Sequence, residues 1–198
     1  MTWISRFFLY LLHPMIMPTL GVLLINAYSP IQIPEEYYYL FVGIVFAGTY
    51  ILPALLVILM MLFGMVQSIE LPNRQERSWP LLFSALAVYS TERILEHLYT
   101  PVDILHFLQG ITLSLAIGFF VNQVIKASVH VAGMGGLIGG VLGISVLSQI
   151  NLFYLLGPLL LLAGFLGTTR IHLKAHQPSE VYIGFLVGFV PVFTVMIL

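Results

Sequence analysis

Cysteine is absent from the 198 residues. Disulfides, iron–sulfur clusters, thiolate zinc sites and cysteine nucleophiles are therefore excluded. Charge is scarce as well: 8% of the residues are Asp, Glu, Lys or Arg, where a water-soluble domain carries about 25%. Seven basic residues against eight acidic ones leave no basic surface of the kind that nucleic acids require. Apolar residues make up 60% of the chain, and the mean hydropathy is +1.03. This is the composition of an integral membrane protein. Met1 to Arg6 lack the basic n-region and small-residue cleavage site of a secretory signal, so the first apolar stretch is expected to stay in the mature protein.

The few charged residues divide the chain into uncharged runs: Phe7 to Pro34, Tyr37 to Ile69, Ser78 to Thr91, Ile104 to Ile125, Ala127 to Thr169 and Val181 to Leu198. A crossing takes roughly 20 helical residues at about 1.5 Å each, so the fifth run is long enough for two. Gln149 and Asn151 mark the expected turn, with crossings near His130 to Leu147 and Leu152 to Thr168. The expected fold is an all-α, polytopic transmembrane helix bundle of about six to seven crossings, a single domain over 1–198. Strands are disfavoured because the runs are apolar on every side rather than alternating. Pro14 and Pro18 interrupt the first run, and Glu92 and Arg93 cut the third short. Gly133, Gly135, Gly136, Gly139, Gly140 and Gly143 predict a helix packed closely against another within the chain.

Two crossings separate each of three polar loops, near 70–80, 126–131 and 169–180, which puts all three on one membrane face. Six basic residues (Arg6, Arg74, Arg77, Lys126, Arg170 and Lys174) fall on that face and Arg93 on the other, so the positive-inside rule makes it cytoplasmic. Arg74 and Arg77 are three apart and would share a helical face, where guanidinium forks match phosphate oxygens; the alternative is that they snorkel to headgroups. Lys126 and Ser128 precede the Gly-rich helix, whose amino terminus suits an anion, and His130 can deliver a proton there. The blander reading makes Ser128 an N-cap and His130 an interfacial histidine. In the third loop His176 is followed one turn later by Glu180, a carboxylate that can fix the imidazole tautomer as a nucleophilic histidine requires. His172 and Lys174 are expected to be solvated loop or headgroup contacts.

These residues resemble the type 2 phosphatidic acid phosphatase family of lipid phosphate phosphatases, related to the vanadium haloperoxidases. Its signatures run Lys-x6-Arg-Pro, Pro-Ser-Gly-His and Ser-Arg-x5-His-x3-Asp. The third is matched by Thr169-Arg170, five residues, His176, three residues and Glu180. The second survives as Ala127-Ser128-Val129-His130, without its Pro and Gly. In the first, Arg77 holds the arginine position, Glu70 stands in place of the lysine and Ser78 in place of the proline; Arg74 or Lys126 would supply the missing charge. The likeness covers roughly Glu70 to the carboxyl terminus, and a bacterial subgroup is similar throughout, including His13-Pro14 and Pro18.

The resemblance implies a bacterial inner-membrane enzyme that hydrolyses a lipid phosphate: phosphatidate, phosphatidylglycerol phosphate, or a polyprenyl phosphate or diphosphate. His176 would attack phosphorus, Glu180 would orient it, and His130 would serve as acid and then base. Arg77, Arg170, Lys126, Ser128 and backbone N–H groups near Val129 would hold the phosphoryl oxygens. No metal or cofactor is expected, because the cationic groups supply the electrostatics. The family usually has six crossings and outward-facing signatures, whereas the charge count here points inward. Two other readings compete. Glu92, Glu96, His97, Asp103 and His106 could hold a metal on the opposite face, against the simpler reading of an interfacial turn near Thr100-Pro101. The missing Lys and Gly favour a catalytically degenerate lipid-binding or transport protein on the same fold.

Overall fold

The computed structural model describes residues 12–69, 71 and 73–198. Among the described residues the fold consists of seven helices and no strand. They are α1 (Met17–Tyr28, entered through a 3-10 turn at Pro14–Ile16), α2 (Glu35–Leu62), α3 (Ser78–Glu96), α4 (Val102–Asn122), α5 (Val129–Leu147), α6 (Phe153–His172) and α7 (Pro178–Ile197). Five of them, α2 and α4 to α7, are long and apolar enough to cross a membrane. The protein is an integral membrane protein by this measure.

The expected count of seven matches the number of helices, but two differ from the rest. Helix α1 has 12 residues, and the start of its apolar run, Phe7 to Leu11, lies outside the described residues. Helix α3 does not stop at Thr91 as expected but continues for 19 residues to Glu96. The reason is local neutralisation. Glu92 is 1% exposed, yet its carboxylate accepts from two nitrogens on one edge of the Arg93 guanidinium and from Gln109 Nε2 of α4 at 3.0 Å. A buried carboxylate so satisfied no longer breaks the helix. Among the described residues, no three of His, Asp and Glu converge as metal ligands would. Asp103 instead accepts from Ser29 Oγ at 2.5 Å, and Arg93 also pairs with Glu96 at 2.8 Å.

Helix α5 forms the axis of the bundle: 61% of its span is buried, against 22–28% for the other four long helices. Its most extensive contact is with α7, and α1 and α6 also pack on it. The glycines make this possible, as the sequence suggested. A Cβ on Gly139 would lie 2.8 Å from the carbonyl oxygen of Phe189, and one on Gly184 of α7 would lie 2.6 Å from that of Ser128. Real side chains cannot come so near, so the two backbones meet only because both faces carry glycine. Met134, Leu137, Ile138, Val141 and Ile144 fill the remaining faces of α5. The turn expected at Gln149 and Asn151 joins α5 to α6: Gln149 takes the left-handed conformation at φ 55°, and Asn151 Oδ1 accepts from Phe153 N at 3.0 Å. Helices α3, α4 and α7 complete the bundle, with α4 packed on both others. This antiparallel order brings the loops around Leu71 and 73–77, 123–128 and 173–177 to one end.

Candidate active site at one end of the bundle

The sequence Gln177-Pro178-Ser179-Glu180 starts α7. Pro178 occupies the first turn, where no N–H is needed, and Gln177 and Glu180 form a reciprocal capping box. Glu180 Oε2 accepts the Gln177 N–H at 3.1 Å. The same oxygen lies 2.8 Å from Nδ1 of His176, and Nδ1 also stands 3.1 Å from the carbonyl oxygen of Lys126. Both partners can only accept, so Nδ1 carries the hydrogen and the lone pair of the neutral ring resides on Nε2. A capping carboxylate thus also fixes the tautomer of a buried histidine, one turn before it in the chain.

Three cations surround this pair. Arg77 is buried; its Nε donates to the carbonyl oxygen of Leu71 at 2.7 Å and one terminal nitrogen to that of Ala127 at 3.4 Å. Burial first, and then the nearby Arg170 guanidinium, brings Arg77 down to about 10, with Glu180 pulling the other way. Lys126 donates from Nζ to the carbonyl oxygen of Ala175 at 3.3 Å. Burial and Arg77 hold its ammonium below the usual lysine range, against the pull of Glu180. Arg77, at about 10, therefore remains a cation at neutral pH. His176 is brought down to about 4: burial is the largest cause, Arg170 and Arg77 add to it, and the hydrogen bond to Glu180 opposes it. The imidazole is therefore uncharged at neutral pH.

His130, in the first turn of α5, completes the group. Its electrostatic neighbours are Arg170, His13, His176 and Arg77. An open depression of about 400 Å³ lies beside the pair, walled by Lys126, Lys174, Ala175, His176, Gln177 and Glu180. Arg77, Lys126, Ser128, His130, Arg170, His176 and Glu180 thus gather at one end, from three loops far apart in sequence.

Arg74 does not join them. It does not share a face with Arg77: its guanidinium donates to the carbonyl oxygen of Gln123 at 2.6 Å, while Asn122 Nδ2 donates to the Arg74 carbonyl at 2.9 Å. The two residues tie the 3-10 turn Gln75–Arg77 to the end of α4, which needs partners for its last carbonyls. Of the two candidates for the missing charge of the first signature, Lys126 is the one beside Arg77. Glu70 lies outside the described residues. Ser128 also departs from expectation. It occupies the N-cap position of α5 but makes no side-chain cap; its backbone N–H donates to the carbonyl oxygen of Glu180 at 2.9 Å. Its hydroxyl is buried and has no hydrogen-bond partner among the described residues. His172 and Lys174 are exposed, in keeping with solvated contacts.

Sequence reasoning missed the contacts made through main-chain oxygens, those of Leu71, Lys126, Ala127 and Glu180, because a carbonyl carries no residue-specific signal. It also gave no role to His13, whose ring lies against that of His130 with centroids 5.6 Å apart. Set against protein families, curated proteins and solved structures, the chain matches none.

Proposed function

We propose that this protein is a lipid phosphate phosphatase of the bacterial inner membrane, working through a phosphohistidine on His176. One observation carries the reading. The Nδ1 hydrogen of His176 is shared between Glu180 and the Lys126 carbonyl, which leaves Nε2 as a lone-pair donor among the positive charges of Arg77, Arg170 and Lys126. A neutral nucleophile in a cationic field suits a phosphoryl group, whose charge spreads over three oxygens during transfer.

In the first half-reaction Nε2 bonds to phosphorus while the ester or anhydride oxygen departs, taking a proton from His130. In the second, His130 takes a proton from water as its oxygen attacks the phosphohistidine, and inorganic phosphate leaves. The phosphate would sit at the end of the bundle while acyl or prenyl chains stay among the apolar helices. Phosphatidate, phosphatidylglycerol phosphate and polyprenyl phosphates or diphosphates all meet that description. The resemblance of the three signatures adds support.

The test is phosphate release by the detergent-purified protein from phosphatidate, phosphatidylglycerol phosphate and undecaprenyl diphosphate, beside His176→Ala. Release that the substitution abolishes is expected. A second reading, a lipid-binding or transport protein without chemistry, draws on the Ser128 N–H, which is committed to Glu180 rather than to an anion. Silence from both proteins while the lipids still bind would favour it.

A further inference from the structure

Four rings from three parts of the chain stand in a row beside the site. Phe46 and Tyr50 of α2 stack with centroids 5.0 Å apart and planes 10° from parallel. Tyr50 meets His13 edge-on at 6.1 Å, and His13 meets His130 at 5.6 Å and 76°. The row is built by an irregularity. Ala47–Ile51 forms a π-helical turn within α2, a departure that often re-aims side chains at functional sites. Its Gly48 lies so close to the Thr91 side chain that no Cβ would fit, which brings α2 against α3 at this level.

His13 is held from a third direction too. Its Nδ1 accepts from the N–H of Met15 at 3.4 Å, capping the turn Pro14–Ile16. An accepting nitrogen carries no hydrogen, so the neutral ring bears its proton on Nε2. Backbone on one side and Tyr50 on another leave the third contact, with His130, set by the fold. Of the groups around His130, which are Arg170, His13, His176 and Arg77, His13 alone has no part in attacking or holding phosphate in the reading above.

We propose that His13 is a positioning residue for His130: its ring, braced by Tyr50, fixes the plane of the His130 imidazole so that the proton of His130 points at the departing oxygen of the phosphate ester. The inference rests on the phosphatase reading. The proton passes from His130 to the leaving oxygen and is restored from the attacking water, so His13 itself gains and loses nothing. Aromatic rings favour such edge-to-face contact over random orientation, and a small misplacement of a reacting group is enough to cost about 100-fold in rate.

The test compares two phosphate monoesters on the full-length protein in detergent: an alkyl phosphate, whose alkoxide must be protonated as it leaves, and p-nitrophenyl phosphate, whose leaving group departs unprotonated near neutral pH. The kcat/KM value reports the leaving-group step in both. His13→Ala is expected to lower it for the alkyl ester by about 10- to 100-fold and for the nitrophenyl ester by no more than about threefold. His13→Phe, which keeps a ring edge, should recover most of the alkyl rate. His13→Leu replaces the alanine variant should that variant not fold. Equal losses for both esters, no loss for either, or no recovery by phenylalanine would overturn the proposal. Turnover by the wild type that His176→Ala abolishes upholds the phosphatase reading whatever His13 does; no turnover of either ester by the wild type removes that reading and this inference together.

Discussion

The backbone N–H of Ser128 donates to the carbonyl oxygen of Glu180 at 2.9 Å. Glu180 therefore acts twice: its carboxylate holds Nδ1 of His176 at 2.8 Å, and its main chain holds the residue that leads into His130. Gly184, one turn further along α7, allows this approach. The two histidines are thus linked through Glu180 in the first turn of α7, which holds His176 by its side chain and the N-cap residue of α5 by its main chain. That bond also engages an N–H at the start of α5, so an anion there would meet the next N–H groups, those of Val129 and His130, which have no carbonyl a turn earlier in the helix to bond.

Replacing Glu180 with Gln preserves size and removes the charge. Orientation of the His176 ring weakens, and phosphohistidine formation is expected to slow by about 100-fold while phosphate binding changes little. Rapid-quench measurement of the phosphoenzyme checks this, and an unchanged rate would contradict the role given to the carboxylate.

The pH dependence has a definite sign. An ordinary imidazole, near 6.5, would lose its lone pair progressively below that pH. His176 is brought down to about 4, so it stays an uncharged nucleophile until pH approaches that value. The acid limb of phosphoenzyme formation assigned to His176 is expected near 4. Arg170→Ala removes a positive neighbour that disfavours the charged ring, so the limb should move upward even as the rate falls. A pH series on both proteins decides it.

Arg74 and Arg77, three residues apart, are expected to behave differently. Arg77→Lys cannot reproduce contacts to the carbonyls of Leu71 and Ala127 from two nitrogens of one planar fork, and kcat/KM should drop by about 10- to 100-fold. Arg74→Ala loses a tie to the Gln123 carbonyl; its catalytic loss should stay within about threefold, with a modest fall in thermal stability. Equal catalytic losses would mean that Arg74 reaches the phosphate after all.

Gly184→Ala puts a methyl group 2.6 Å from the Ser128 carbonyl oxygen. The backbones must part, at a cost of about 1–3 kcal/mol, and the strain falls directly on the Ser128–Glu180 bond. Both the melting temperature in detergent and kcat should decline. Gly157→Ala on α6, where the added carbon meets nothing within 4 Å beyond its own stretch of helix, should change neither and serves as the control.

Much of this protein was legible from composition and order alone. Long apolar runs require helices in a bilayer, because a backbone without water must bond to itself. The spacing of polar breaks put the three loops at one end, and the glycine pattern of α5 announced a close helix neighbour. The i, i+4 relation of His176 and Glu180 was equally readable, since it is local. Four things were decided only by the tertiary structure: the diverging arginines of the first loop, the burial of Ser128 with its N–H on Glu180, the continuation of α3 through Glu92, and the contact of His13 with His130. Each depends on a partner at least 15 residues away or on a backbone carbonyl, and neither distance across the fold nor the direction of a carbonyl is written in the identity of a residue. They emerge when α5 and α7 close on each other through their glycines and carry the rest of the bundle with them.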